Sequence, residues 1–150
     1  MEKNEIIDLL HWKNSEEDQQ KGIEYALKED DLWFVMENIS IPDFAENCAK
    51  IFTLMDDKKL EPYLDELLTI LQDVNYYGAS TIYNHLLSYH GKLLYKPFIL
   101  NVNTAKKWKY DNWLYWLASL LCNQELAEEL ARNDSDNFEY LKRINDKPLA

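Results

Sequence analysis

The sequence predicts an all-α protein, and three observations carry that prediction. Apolar residues recur at helical spacings along most of the chain, as in Phe44, Cys48, Ile51, Phe52 and Met55. No stretch keeps the strict apolar–polar alternation of a half-buried strand over six or more residues. Three glycines and four prolines are too few for a protein built from many strands and tight turns. At 150 residues the chain is expected to be one helical domain, 1–150, burying roughly 70% of the surface its unfolded form exposes. Residues 145–150 read as a loose tail.

The elements follow in order from periodicity and punctuation. Ile6, Ile7, Leu9 and Leu10 predict a short first helix from Asn4 to Trp12 that stops at Lys13-Asn14. Ser15 followed by Asp18 resembles a capping box and opens a second helix to about Glu29. Asp30-Asp31 break it before a short helix from Leu32 to Glu37. Ser40-Ile41-Pro42-Asp43 reads as a helix start leading to about Met55, with proline where a missing donor costs little. The helix from about Lys58 or Leu60 to Leu71 is the most apolar in the chain. After Asp73-Val74-Asn75 a helix is predicted from Tyr76 to Tyr89, with Gly91 just past its end. Lys92–Lys107 carries Pro97 inside its pattern. Asp111–Leu121, Gln124–Arg132 and Ser135–Ile144 follow, which makes ten candidate segments for an expected total of about eight or nine helices.

Lining up the breaks places Trp33, Tyr76 and Trp113 in equivalent positions, 43 and 37 residues apart. Periods near 40 predict stacked helical hairpins, a HEAT-like α-solenoid, because one helix pair cannot bury its own apolar faces. A compact irregular helical bundle is the alternative. The centre of either arrangement is Leu64–Ala79, where Asn75 is placed to cap the second helix, Tyr76 to fill the gap between layers and Gly78 to let the two helices of the hairpin approach closely.

With 47% apolar and 29% charged residues the chain is too apolar to be disordered and too mixed for a membrane protein. No apolar run approaches the roughly 18 residues of a membrane span, and the N-terminus lacks signal-peptide features, so the cytoplasm is the expected address. Cys48 and Cys122 read as reduced core thiols. The net charge of −11 is uneven: residues 1–75 hold 19 acids and 7 bases, whereas residues 76–150 hold 8 acids and 9 bases. An acidic front half argues against nucleic acid or an anionic membrane as partner there, and favours fast association with a basic protein.

Catalytic chemistry finds no foothold. His85 and His90 lie about 140° apart around a helix, and no HExxH, CxxC or paired ExxH spacing exists, so no metal is expected. There is no GxSxG nucleophile turn and no glycine-rich phosphate loop. No cofactor is implied, and the carboxylate pairs at Asp30-Asp31 and Asp56-Asp57 sit where helix caps are expected.

Three segments, LQDVNYYGA (Leu71 to Ala79), ENCAKI (Glu46 to Ile51) and DNWLYWLASLL (Asp111 to Leu121), resemble a set of small bacterial helical domains of unknown function. Those domains carry a Leu-Gln-Asp-x-Asn-Trp-Pro-Gly-Ala string and are similar to HEAT-type immunity proteins of polymorphic toxin systems. Here Tyr76 and Tyr77 stand where that family has Trp and Pro. The resemblance spans roughly residues 5–130 and implies a non-enzymatic domain that neutralises a basic toxin domain by occlusion. Read together with the charge, it nominates Asp30, Asp31, Asp56, Asp57, Glu61, Asp65 and Glu66 as partner-binding residues. The alternative is a scaffold holding a peptide on an aromatic concave face of Trp108, Tyr110, Trp113 and Trp116.

Overall fold

The computed structural model of the chain describes residues 1–146, and every regular element among them is helical. The α-helices are α1 (Lys3–Leu9), α2 (Glu16–Leu27), α3 (Trp33–Asn38), α4 (Pro42–Thr53), α5 (Asp57–Leu60) and α6 (Leu64–Thr69), followed by α7 (Ala79–Leu87), α8 (Gly91–Lys107), α9 (Asp111–Ser119), α10 (Gln124–Asn133) and α11 (Ser135–Asn145). The expected eight or nine are exceeded partly because the apolar stretch before Leu71 is divided. A 3-10 turn at Glu61–Tyr63 separates α5 from α6, with Pro62 near its start supplying no N–H to a continuous helical ladder. At the far end, Asn145 belongs to α11 and donates to the Ala118 carbonyl at 2.8 Å, so it is not part of a loose tail. The rest of the expected tail, beyond Asp146, lies outside the described residues.

The chain divides into two compact units. The first comprises Met1–Asp56 and Asn75–Ile82. Its core joins Ile6 and Leu10 of the first helix region to Ile23 and Ala26 of α2, and to Ala45, Cys48, Ile51 and Phe52 of α4, all buried. The Ser15 Oγ accepts from the Asp18 amide at 3.1 Å, the cap that begins α2. Gly78 has a φ of 79°, and a Cβ there would lie 2.8 Å from the Ala45 carbonyl oxygen. The close approach at Gly78 is therefore to α4 rather than to the helix that precedes it in the hairpin. Helix α7 starts at Ala79 rather than Tyr76, so the capping position is Gly78, three residues after Asn75. Tyr76 does not fill a gap between layers either: it is 36% exposed, and its hydroxyl donates to the Ser40 carbonyl.

The second unit comprises Asp57–Val74 and the chain from Tyr83 onward. Its core is built from Leu60, Leu64, Leu67, Leu68 and Leu71 together with Leu94, Phe98, Leu114, Leu117, Leu126 and Leu141. Gly91 does not terminate a helix. It is buried as the first residue of α8, and a methyl group there would run into the Leu126 amide nitrogen. The carboxylate of Glu125 meets the same helix start, accepting from the Lys92 amide at 2.9 Å with the His90 Nδ1 also 2.9 Å away. Asp134, rather than Ser135, caps α11, through the Asn137 amide at 3.1 Å.

One device recurs in both units. Among the described residues, the four buried polar side chains are all asparagines, Asn47, Asn101, Asn123 and Asn137. In the first unit Asn47 donates to the Leu10 carbonyl at 2.8 Å, 37 residues back. In the second, Asn101 donates to Asp65 at 2.8 Å, and Asn123 donates to the carbonyls of Leu86 at 2.9 Å and Tyr89 at 2.8 Å. Asn137 accepts from the Lys106 ammonium at 2.9 Å. Each amide thereby ties one helix to an element 31 to 37 residues earlier, which meets its own need for partners in the core.

Candidate protein-binding surfaces

Of the seven acids nominated from sequence, the structure brings two together. Glu61 and Asp65 stand one helical turn apart and line a groove of about 400 Å³ in the second unit. Asp57 opens α5, and Glu66 is exposed beside Asp65. In the first unit, Asp31 is a local cap whose Oδ1 accepts from the Trp33 amide at 2.8 Å, while Asp30 and Asp56 are exposed.

The aromatic alternative divides between surface and core. Trp108 is 69% and Tyr110 44% exposed at the turn after α8, but Trp113 is 3% exposed and its indole N–H donates to the Leu68 carbonyl at 3.0 Å. Trp116 is half-buried, edge-on to Tyr83 and Tyr115 at centroid separations of 5.3 and 5.0 Å. Trp113 therefore belongs to the core, and the four rings do not form one exposed face. The three break aromatics also differ, since Trp33 and Tyr76 are exposed and Trp113 is not. Of the two cysteines, Cys48 is buried, with its thiol pushed up to about 12 by desolvation, whereas Cys122 is exposed rather than core.

A surface the sequence did not announce surrounds the start of α4 in the first unit. Trp12 is 59% exposed, yet its backbone is pinned: its amide donates to the Asp43 carbonyl at 3.1 Å, and its carbonyl accepts from Gln19 Nε2 at 3.0 Å. His11 beside it packs edge-on to Phe44 at 5.6 Å, with Nε2 3.6 Å from the Asp43 carboxylate. Three residues before Asp43, the Ser40 carbonyl holds the Tyr76 hydroxyl, and the Tyr76 ring meets that of Tyr77 at 5.8 Å. Tyr77 is 65% exposed and Ile41, the residue before α4, is also exposed. Trp12 falls where the first helix pattern ends, so periodicity reads it as a terminus; only its isolation among polar neighbours hints that it faces outward.

The setting of this patch is strongly acidic. Fourteen acidic and five basic side chains give the first unit a net charge of −9, so most of the front-half acidity resides there. Rigid backbone beneath exposed Trp and Tyr rings lowers the entropy lost when a partner covers them. Among the described residues, no group of three His, Cys, Asp or Glu side chains is placed to hold a metal, and no helix is long and apolar enough to cross a membrane.

The chain matches no family model, no curated protein and no solved structure.

Proposed function

We propose that this chain is a non-enzymatic, cytoplasmic protein-binding domain that neutralises a basic partner by covering its surface, as an immunity protein of a polymorphic toxin system does. In this reading its helix pairs are HEAT-type hairpins. The observation that carries the proposal is the coincidence, in one unit, of a net charge of −9 with exposed Trp12, Ile41 and Tyr77 around the pinned start of α4. Carboxylates steer the encounter through long-range attraction, and the rings supply affinity once water is excluded. Asp30 and Asp56 act in the steering, being exposed acids of the same unit.

The test is to identify any toxin domain encoded beside this protein's gene and to measure its binding by calorimetry and by stopped-flow association at low and moderate salt. Trp12→Ala is expected to weaken binding at least about ten-fold, which corresponds to about 1.4 kcal/mol, mainly through faster dissociation. Asp30→Asn with Asp56→Asn is expected to slow association and flatten its salt dependence. A neighbouring toxin that is not bound, or bound equally by all these variants, overturns the proposal.

A further inference from the structure

The groove in the second unit has a composition that the acidic-surface reading does not use. One wall is Glu61 and Asp65. The opposite wall is a single stripe of α8, in which Lys92, Leu93, Lys96, Pro97 and Leu100 follow at helical spacings of one, three, one and three. The rest of the lining is apolar, with Pro62 beside the acids and Leu93, Pro97 and Leu100 interleaved with the lysines of α8. Leu100 is 62% exposed, unusually open for a leucine placed beside charged groups.

Two features show the walls to be pre-arranged. The Asp65 Oδ1 accepts from the buried Asn101 amide at 2.8 Å, and the same amide reaches the Pro97 carbonyl at 2.8 Å, so one side chain fixes the carboxylate and the proline turn together. Pro97 has no N–H to give to the Leu93 carbonyl, and its ring holds its own φ fixed within the same stripe. The opposing charges do not neutralise one another: among the described residues, no ion pair joins Lys92 or Lys96 to Glu61 or Asp65.

We propose that this groove docks an extended segment of a partner protein in which an apolar side chain lies between a basic and an acidic one. The basic side chain meets Glu61 and Asp65, the acidic one meets Lys92 and Lys96, and the apolar one covers Leu93, Pro97 and Leu100. Charge complementarity on both edges selects this occupant over a purely basic or purely acidic one, each of which would face repulsion from one wall. The proposal does not depend on the neutralising role assigned to the first unit.

A panel of fluorescein-labelled decapeptides tests it, each placing an arginine and a glutamate three to five residues apart around leucine or isoleucine, in both orders. All-arginine and all-glutamate versions serve as controls, and binding to the full chain is followed by anisotropy. The best mixed-charge peptide is expected to bind at least about ten-fold tighter than either control, and Lys96→Glu or Leu100→Asp to remove that preference. Trp12→Ala is expected to leave it intact. Both groove positions are exposed, so circular dichroism melts should match the parent, and Lys92→Gln serves in place of a variant that melts early. The proposal is overturned if no mixed-charge peptide outperforms the single-sign controls, or if Leu100→Asp leaves binding unchanged. It is equally overturned if sedimentation shows a Leu100-dependent dimer, which would assign the groove to a second copy of the chain.

Discussion

His85 carries a buried Nε2 with no hydrogen-bond partner among the described residues, and its ring lies 6.1 Å from that of Tyr89. Burial lowers its pKa from the usual 6.5, and the negative charge of Asp57 only partly opposes this. The unfolded chain therefore takes up a proton at His85 before the folded chain does. Stability from this group is fully present above pH 6.5 and is lost as the pH falls from 6.5 through the lower folded value. Urea midpoints at closely spaced pH values should fall in that window for the parent and fall less for His85→Gln. At this scale the sequence was legible where a residue acts on its own neighbours, as Ser15 does in capping α2. It was opaque where the decisive neighbour is distant: Gly91 looks like a helix terminator until Leu126 is seen against it, and Trp113 looks like Trp108 until the Leu68 carbonyl claims its indole.

Among the elements, α10 shows what the buried asparagines contribute. The Asn123 Oδ1 accepts from the Leu126 amide at 3.1 Å and caps α10, while its amide group satisfies two carbonyls near the end of α7. Asn123→Ala removes the cap and takes a donor from both carbonyls, leaving that of Leu86 only the Tyr89 amide, so a loss of about 2–4 kcal/mol is expected from chemical denaturation. Asn123→Asp keeps an acceptor for the cap but not the donor, and should lose most of the same stability. Helix existence was legible here because apolar spacing and polar breaks are local signals. The asparagine contacts were not, since nothing in the chain distinguishes Asn123 from the exposed Asn84 until the fold sets helices side by side. The groove was half legible: acidity singled out Glu61 and Asp65, whereas its lysine edge belongs to an element 27 to 35 residues further on.

For the molecule as a whole, charge is the property most directly inherited from sequence. The net −11 was read as a front-half excess, and the structure places −9 of it within one unit. Like charges gathered on a small unit repel one another in the folded state and relax when the chain expands. Raising sodium chloride from 20 to 200 mM shortens the screening length from roughly 20 Å to under 10 Å, so the melting temperature is expected to rise by a few degrees. A melting temperature that falls over that range would show favourable ion pairs outweighing the repulsion. The all-α class follows from periodicity together with the scarcity of glycine and proline. The division into two units did not, because the boundary at Val74 and Asn75 falls inside a segment that reads as one continuous hairpin.

The long reach of the buried asparagines also sets where the chain can change length. Asn47 and Leu10, or Asn123 and Leu86, must arrive in register, and one residue inserted within a helix between them turns everything beyond it by about 100°. Insertions and deletions are therefore expected to be absorbed in the loop after α2, around Lys28–Asp31, and in the turn around Trp108–Tyr110, whose side chains are largely exposed. Within α4 ahead of Asn47, or within α8, a change of a single residue swings a buried amide away from the carbonyl it meets.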